Sequence, residues 1–248
     1  MGQRSPRILS NSSATLSIVI ISWNVRELLS GCLDSVQSNL LANPDLVTET
    51  FVVDNASTDG SQEMVRCEYP WVRLIENTEN VGFAQANNQA IQMSCGQYVL
   101  LLNPDTEASP GALRALLDSL ANLPGAGMAG ARLLNDDGSL QVSCYREPTL
   151  LREFLLMFHL DGFLSYGSYR MKSWPLDRPR EVDTVMGACM LIRKSVLESI
   201  GLMDQGYFMY SEEVDLCYRI RRAGWRIYWV PQAKVVHFGG QSTQQVAT

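Results

Sequence analysis

The feature that most constrains the fold of this chain is a continuous apolar run over residues 16–21, followed by apolar residues at helical spacing over 24–38. A β-branched run of this kind is typical of a strand buried on both faces. The same alternation recurs, with predicted strands at 51–53, 72–75 and 98–102 and predicted helices at 58–66, 82–93 and 109–121. Strands that alternate with helices predict an α/β fold with a Rossmann-like, mostly parallel central sheet flanked by helices.

The pattern changes after residue 133. Asp136-Asp137-Gly138 indicates a hairpin turn, and residues 149–175 are aromatic and irregular. The remaining predicted elements are a strand at 182–193, a helix at 212–223 and short strands at 226–230 and 234–236. Because no stretch is rich enough in Gly, Pro or Ser to separate two domains, we expect a flexible tail over residues 1–15 and a single domain over 16–248 with a smaller, mixed second half.

Composition excludes several classes of protein. Hydrophobic residues make up 46% of the 248 and charged residues 19%, which excludes a disordered chain and a coiled coil. The net charge of −6 is not that of a nucleic-acid-binding protein. Residues 1–145 hold 7 basic and 15 acidic residues, whereas residues 146–248 hold 13 basic and 11 acidic residues. An anionic surface would therefore bind to the second part of the chain.

Further sequence features bear on location. No apolar run reaches the roughly 18 residues of a membrane span, and no apolar stretch follows the N-terminal charges as in a secretory signal. The six cysteines form no Cys-x-x-Cys pair, which predicts reduced thiols and a cytoplasmic location. The chain has only two histidines, which excludes a metal site built on three.

Polar residues follow the predicted strands, and in open α/β sheets ligands bind beyond the carboxyl ends of the strands. The residues at three such ends are Ser22, Trp23 and Asn24, then Asp54 and Asn55, then Asn103, Pro104 and Asp105. Asp54 and Asp105 could each be turn formers or helix caps. A carboxylate fixed at a strand end could also ligate Mg²⁺ or Mn²⁺ on a substrate diphosphate. The absence of a P-loop and of a dinucleotide-binding Gly-x-Gly-x-x-Gly argues against kinases and nicotinamide enzymes.

Three later features also have a plain and a functional interpretation. Gly82 opens a helix, either as a simple turn or to let backbone N–H groups approach an anion. Glu212, Glu213 and Asp215 crowd the first turn of a helix, where they complement its dipole or supply a general base. His237 follows an apolar strand and precedes two glycines, where it is a structural residue or a metal ligand.

Together these motifs resemble the family 2 glycosyltransferases with the GT-A fold, in their bacterial rhamnosyltransferase-like branch. The matching stretches, in the family's order, are Ser17-Ile-Val-Ile-Ile-Ser-Trp-Asn24, Val52-Val-Asp-Asn-Ala-Ser-Thr-Asp-Gly60, Asn80-Val-Gly-Phe-Ala84 with Asn87, Leu101-Leu-Asn-Pro-Asp105, Gly187-Ala-Cys-Met190, Tyr210-Ser-Glu-Glu-Val-Asp-Leu216 and His237-Phe-Gly-Gly-Gln-Ser242. None of them would be specific alone.

The resemblance implies a role for each motif. Asp54 would accept a hydrogen bond from the pyrimidine base, and Asp105 with His237 would hold a divalent metal. The implied nucleotide-binding residues are Ser22, Trp23, Asn24, Asp54, Asn80, Gly82, Phe83, Asn87 and Asn103. Gly187, Ala188 and Glu212 would contact the acceptor. The chain departs from the family at Glu213, where the catalytic Asp is expected, and at Asn103, where the first Asp of the D-x-D site is expected.

The expected function is inverting, metal-dependent transfer of a sugar from a nucleoside-diphosphate sugar, favoured as dTDP-L-rhamnose with UDP-sugars as the other option, to a saccharide or lipid-linked saccharide. Residues 16–105 would be the nucleotide-binding half and 106–248 the acceptor-binding half. The expected location is cytoplasmic, with peripheral contact to the cytoplasmic face of the inner membrane. Two alternatives stay open: a sugar-1-phosphate nucleotidyltransferase, which would need a Gly-rich basic loop after the first strand, and a non-catalytic nucleotide-sugar-binding module.

Helical geometry separates the three carboxylates. With 3.6 residues per turn, Glu212 lies one turn before Leu216 and points toward the protein, while Asp215 can pair with Arg219 at i+4. Glu213 is left to reach the cleft and is the favoured base, with Asp215 as the second candidate.

The aromatic segment 149–175 could be ordinary core. The alternative hypothesis is an acceptor- or membrane-facing lid, because basic heads beside apolar residues suit anionic lipid headgroups. The residues of this hypothesis are Phe154, Phe158 and Phe163, with Arg152, Arg170 and Lys172 nearby.

Overall fold

The computed structural model describes residues 15–158, 169–208 and 210–239, without the side chain of Leu156. The strands are β1 (Leu16–Ser22), β2 (Thr48–Asp54), β3 (Arg73–Glu76), β4 (Tyr98–Leu102), β5 (Thr106–Ala108), β6 (Ala126–Leu134), β7 (Cys144–Tyr145), β8 (Arg180–Val182), β9 (Thr184–Val185), β10 (Cys189–Arg193) and β11 (Arg226–His237). The α-helices are α1 (Arg26–Ala42), α2 (Ser61–Glu68), α3 (Phe83–Met93), α4 (Ala112–Asn122), α5 (Leu150–Met157), α6 (Lys194–Ile200) and α7 (Glu212–Arg222).

The main sheet has the strand order β3-β2-β1-β4-β10-β6-β11-β5. The first four strands are parallel, β10 runs antiparallel between β4 and β6, and β11 is parallel to β6. β5 and β8 both pair antiparallel with β11. This arrangement confirms the predicted α/β fold with a more mixed second half.

The apolar run of β1 shows why this sheet is covered on both faces. Successive residues of a strand point to opposite faces, and Ile18 and Ile20 enter one apolar cluster while Val19 and Ile21 enter another. The first cluster includes residues of α1, α2 and α4, and the second includes residues of α3, α6 and α7. The molecule is therefore a three-layer structure, with the sheet between two layers of helices.

The second half departs from two sequence predictions. The predicted strand over 182–193 is divided into β8, β9 and β10, partly because the N–H of Asp183 donates to Tyr169 Oη instead of to a neighbouring strand. The two short strands predicted at 226–230 and 234–236 form one strand, β11, whose register shifts between Val230 and Lys234. That shift falls at Pro231, which has no N–H to donate.

The strand order determines where the candidate ligand site lies. β1 lies between β2 and β4, so the chain leaves β1 on one side and returns to β4 on the other, which opens a crevice at the carboxyl ends of these strands.

Asp136-Asp137-Gly138 forms the predicted turn, with Gly138 at a φ of 79°. No helix in the described part of the chain is both long and apolar enough to cross a bilayer.

Candidate active site

A cavity of about 510 Å³ lies at the carboxyl ends of β1 and β4. Its opposite wall is formed by the start of α7 and by the segment that leads into β10. The cavity walls include most of the residues proposed for the nucleotide, namely Ser22, Trp23, Asn80, Gly82, Phe83 and Asn103. They also include Asp105, His237, Gly187, Ala188, Glu212 and Glu213. One cavity therefore brings together the residues predicted to bind metal, donor and acceptor.

Asp105 and His237 are brought together by strand pairing. Thr106 of β5 lies opposite His237 of β11, and the N–H of Phe238 donates to the carbonyl of Asp105 at 2.9 Å. Nε2 of His237 is 3.4 Å from Oδ1 of Asp105, and both side chains are nearly buried. The sequence predicted that Asp105 and His237 lie close together. The backbone hydrogen bonds beside β5 and β11 bring them there.

The donor atoms around this pair fit a divalent metal. Oδ1 of Asp105 and Oδ1 of neighbouring Asn103 are buried and accept no hydrogen bond. Carboxylate and amide oxygens suit Mg²⁺ and Mn²⁺, and an imidazole nitrogen can join them. Within the described ranges no group of three or more His, Cys, Asp and Glu residues is arranged for a metal, so an ion here would need ligands from a diphosphate and water as well.

The two glutamates at the start of α7 line the other side of the cavity. Glu212 is only 5% exposed, and its Oε2 is buried without a hydrogen-bond partner. Burial, together with the neighbouring charge of Glu213, raises the pKa of Glu212 to about 7. Burial also raises the pKa of Glu213 above its usual value. Both carboxyl groups are thus able to exchange protons closer to neutral pH than an exposed glutamate.

Gly187 lies beside Glu213 on the acceptor-side wall. A Cβ atom at Gly187 would lie 3.8 Å from Cβ of Glu213, in ordinary van der Waals contact, so the approach does not itself require glycine. The N–H of Asn103 donates to the carbonyl of Ala188 at 2.9 Å, which joins this wall to the end of β4. The two predicted acceptor-side residues therefore lie between the end of β4 and the candidate base.

The structure places Asp215 outside the cavity. Nε of Arg219 donates to its Oδ2 at 2.7 Å, as the i+4 spacing predicts, and Nη1 of Arg219 also donates to the carbonyl of Ile200. The position of Asp215 therefore does not support it as a second catalytic candidate, because its carboxylate pairs with Arg219, which holds α7 against the end of α6.

Three of the predicted nucleotide-binding residues lie behind the cavity wall. The Oδ1 atom of Asp54 accepts from the N–H of Ser57 at 2.8 Å, while its Oδ2 is buried without a hydrogen-bond partner. Oδ1 of Asn24 accepts from the N–H of Thr58, and Nδ2 of Asn87 donates to the carbonyl of Phe83. None of the three lines the cavity, and contact with the nucleotide remains a prediction for each of them.

The sequence left Gly82 either as a turn or as an anion site, and its backbone agrees with the turn. Its φ is 83°, and a Cβ atom there would lie 2.7 Å from the carbonyl oxygen of Phe208. The N–H of Phe83 donates to that same oxygen at 3.0 Å, and the N–H of Gly82 donates to Oδ1 of Asn80. These two N–H groups are therefore not free to bind an anion, and Gly82 instead lets the loop before α7 approach.

The lining residues Tyr145, Met186, Tyr210 and Val214 were not candidates from the sequence, and Asn55 was one only as a residue that follows a strand. Tyr210 and Val214 stand inside the stretch 210–216 that carries the family resemblance, so the signal for them was present. Tyr145 had no local signal, because it reaches the cavity through the pairing of β7 with β9.

The lid hypothesis is corrected in one part. The rings of Phe154 and Phe158 pack 4.6 Å apart on an exposed face of α5. Nη1 of Arg152, however, donates to the carbonyl of Glu147 at 2.6 Å, so this residue is tied to the protein instead of facing a lipid surface. Arg170 and Lys172 are exposed, and Phe163 lies outside the described residues.

The sequence model described as Glycosyl transferase family 2 matches residues 17–201. N-acetylglucosaminyl-diphospho-decaprenol L-rhamnosyltransferase of Mycobacterium tuberculosis is 34% identical over 82% of this chain and 72% of its own length. Low-salt glycan biosynthesis hexosyltransferase Agl10 of Haloferax volcanii is 31% identical over 84% of this chain and 62% of its own. Rhamnosyltransferase WbbL of Escherichia coli is 27% identical over 63% of this chain and 61% of its own.

Solved structures show the same fold. The mannosyltransferase PcManGT from Pyrobaculum calidifontis, in complex with GDP-Man and Mn²⁺, superposes with a TM-score of 0.63 at 20% identity over 93% of this chain. GalNAc-T7 with UDP, GalNAc and Mn²⁺ gives a TM-score of 0.65 at 16% identity over 92% of this chain. The chain spans 58% and 44% of the lengths of these two proteins.

Proposed function

This chain belongs to glycosyl transferase family 2, and from that premise we propose that it moves a sugar from a nucleoside-diphosphate donor to a hydroxyl group of a saccharide or lipid-linked saccharide, with inversion at the anomeric carbon. The observation that carries this proposal is that one cavity holds the Asp105–His237 pair and the carboxylate of Glu213. The proposed site for a charged leaving group thus shares a cavity with the carboxylate proposed to accept a proton.

On the donor side, Asp105 and His237 would hold a divalent ion, Mg²⁺ or Mn²⁺. When bound, that ion supplies positive charge against the negative charge that develops on the leaving diphosphate. The chain itself contributes Ser22, Trp23 and Asn103 to the same wall, where they bound the space available to the nucleotide.

On the acceptor side, Glu213 is proposed as the general base. It would accept the proton of the acceptor hydroxyl as the new glycosidic bond forms and the bond to the diphosphate breaks. Attack on the face opposite the leaving group inverts the anomeric carbon. Because burial raises the pKa of Glu213, transfer should decline on the acid side at a higher pH than an ordinary glutamate would cause.

The proposed donor is dTDP-L-rhamnose, with UDP-sugars as the other option, and the proposed acceptor is a lipid-linked saccharide. This choice rests on the mycobacterial relative, whose name states an L-rhamnosyltransferase and an N-acetylglucosaminyl-diphospho-decaprenol. The reaction is proposed to take place at the cytoplasmic face of the membrane, because a polyprenyl acceptor would be anchored there.

The test combines two variants with a matched pair of measurements. Glu213→Gln should lower the rate of rhamnosyl transfer from dTDP-rhamnose to a short-chain lipid-linked N-acetylglucosamine by at least about 100-fold, the low end for a general base. Donor binding, measured as the thermal shift on adding dTDP-rhamnose with Mn²⁺, should survive. Asp215→Asn is the control, and its transfer rate should stay far above that of Glu213→Gln.

Three results would contradict the proposal. Near-parental turnover of Glu213→Gln together with loss of turnover in Asp215→Asn would make Asp215 the base. Binding of dTDP or UDP without transfer or donor hydrolysis would favour a binding module, and release of pyrophosphate from a nucleoside triphosphate and a sugar phosphate would favour a nucleotidyltransferase.

A further inference from the structure

The side chain of Gln141 reaches the candidate metal site from a hairpin that follows β6. In this hairpin Leu134 pairs with Leu140, and the N–H of Gln141 donates to the carbonyl of Leu133 at 3.0 Å. Oε1 of Gln141 lies 2.8 Å from Nδ1 of His237. His237 is thus held between Gln141 on one ring nitrogen and Asp105 on the other.

The surrounding hydrogen bonds fix which way the amide of Gln141 points. Its Nε2 donates to Oδ1 of Asn135 at 3.1 Å and to the carbonyl oxygen of His237 at 3.3 Å. With both amide hydrogens used on acceptors, Oε1 is the atom that faces the imidazole, and it can only accept. The proton of the neutral ring therefore sits on Nδ1.

The consequence falls on the other ring nitrogen. A neutral imidazole with its proton on Nδ1 turns the lone pair of Nε2 toward Oδ1 of Asp105, 3.4 Å away. That oxygen is buried and accepts no hydrogen bond. Two electron-pair donors facing the same space make a position that favours a cation.

We propose that Gln141 is a positioning residue for metal binding, which fixes the tautomer and the orientation of His237 so that Nε2 can ligate the divalent ion. The inference rests on the proposed metal-dependent function, and it adds a residue that lies outside the motifs quoted from the sequence. Partners of metal-bound histidines commonly change metal affinity by about 10- to 100-fold when they are removed.

The first test measures Mn²⁺ binding in the presence of dTDP by isothermal titration calorimetry. Gln141→Met keeps nearly the same shape but offers Nδ1 only a weakly accepting thioether, so it should weaken Mn²⁺ binding by about 10- to 100-fold. Gln141→Glu keeps an acceptor for Nδ1 but loses both donated hydrogen bonds, and its affinity should stay close to the parental value. Equal weakening in both variants would overturn the proposal, since anchoring of the hairpin would then explain the loss; so would no weakening in either.

The second test needs neither metal nor activity. The chain has two histidines, so ¹⁵N spectra of the imidazoles can be assigned with His237→Ala. The metal-free parent should show His237 protonated at Nδ1, and Gln141→Met should show a mixture of tautomers. A parental signal protonated at Nε2 would overturn the proposal. If transfer fails while Mn²⁺ binding and the tautomer behave as expected, the proposed function alone is wrong.

Discussion

At the scale of single residues, the cavity contains two buried carboxylate oxygens that accept no hydrogen bond, Oδ1 of Asp105 and Oε2 of Glu212. Such atoms are costly unless a ligand or a proton satisfies them. Asp105 lies beside His237 and Glu212 beside another carboxylate. The first environment favours a cation and the second favours a proton, so the two oxygens respond to different changes in solution.

The first residue-scale prediction concerns the metal pair. Asp105→Ala and His237→Ala should each weaken binding of dTDP-rhamnose in Mn²⁺ and change it little in the presence of a chelator, because each removes one proposed ligand. Calorimetric titration with and without EDTA measures the difference. Asp215→Ala, which removes a carboxylate outside the cavity, is the control. Equal weakening with and without metal would show that the two residues act on the donor in another way.

The second residue-scale prediction concerns how the stability of the protein depends on the protonation of Glu212. Its pKa is about 7 in the folded protein against 4.5 for the ordinary group, so the folded state binds more protons between these values and stability falls as pH rises through that window. The variant Glu212→Gln has no titrating group at this position, so it does not lose stability in this way as the pH rises. Between pH 5 and pH 8 the parent should therefore lose more unfolding free energy than the variant, by on the order of 1–2 kcal/mol after allowance for solvent at the cavity mouth.

Urea unfolding at the two pH values measures this difference. Glu198→Gln, a change at an exposed glutamate of α6, is the control and should follow the parent. If Glu212→Gln loses as much stability as the parent between the two pH values, the carboxyl group of Glu212 does not hold its proton in the folded protein.

The residues of the site differ in how far the sequence reveals them. Asp105 and His237 could be predicted because each closes a recognisable strand. Gln141 and Tyr145 could not, because a hairpin places Gln141 beside His237 and a two-residue strand places Tyr145 on the cavity wall. The placement of both elements depends on contacts distant in sequence. The sequence left it undecided whether the carboxylate of Asp215 faces the cavity. Its hydrogen bond with Arg219 shows where that carboxylate points.

At the scale of elements, the loop before α7 is fitted against the start of α3. Tyr210 and Ser211 both have positive φ angles, of 70° and 72°, and Ser211 is the residue from which α7 begins. Non-glycine residues with such angles cost free energy that the surroundings must offset. The close approach of Phe208 to Gly82 is one contact that fixes this loop, and with it the position of Glu213.

Gly82→Ala should therefore disturb α7 from a distance. Its backbone has φ 83° and ψ 171°, a region that is nearly exclusive to glycine, and the new methyl group would meet the carbonyl of Phe208. We expect a loss of roughly 1–3 kcal/mol in unfolding free energy and a transfer rate reduced beyond what the lost stability explains. Denaturant melts and initial rates at a temperature well below unfolding measure the two effects.

Gly111→Ala is the matched control, because Gly111 also has a positive φ, of 80°, but a methyl group there would meet no atom within 4 Å. It should lower stability without lowering the rate. If Gly82→Ala keeps the parental rate, the loop does not depend on this contact.

The elements of the first half were predictable because each strand is a short apolar run between helices of clear periodicity. The break in the region 182–193 was not predictable, because a mostly apolar run does not reveal where its pairing is interrupted. Asp183 interrupts it by bonding outside the sheet, and Gly187 turns the chain along the cavity wall. The interruption is what gives the acceptor side its shape.

At the scale of the whole molecule, an exposed apolar surface follows closely in sequence on a residue of the cavity wall. Tyr145, on the cavity wall, precedes α5 by a few residues. The exposed apolar residues of this helix and its end are Leu150, Leu151, Phe154, Met157 and Phe158. For a lipid-linked acceptor we expect this surface to face the bilayer, with the exposed Arg170 and Lys172 toward anionic headgroups.

The double variant Leu150→Glu with Phe154→Glu should lower binding to vesicles of anionic lipid by at least about tenfold, since burying each such side chain is worth about 1.5–3 kcal/mol. Co-sedimentation with phosphatidylglycerol vesicles measures it. Met93→Glu, which changes an exposed apolar residue at the end of α3, should leave binding unchanged. Parental binding that does not depend on anionic lipid would contradict the electrostatic part of this expectation.

The pairing of β5 with β11 has a consequence for synthesis on the ribosome. Asp105 leaves the exit tunnel early, among strands that can already pair with one another, whereas His237 is added more than half a chain later. Domains form from the N-terminus as the chain grows, at about 5–20 residues per second. A nascent chain would therefore pass through a stage in which its first strands are assembled and His237 has not yet been translated. During that stage the growing polypeptide has half of the metal pair, and it gains the other half only when the last strand joins the sheet.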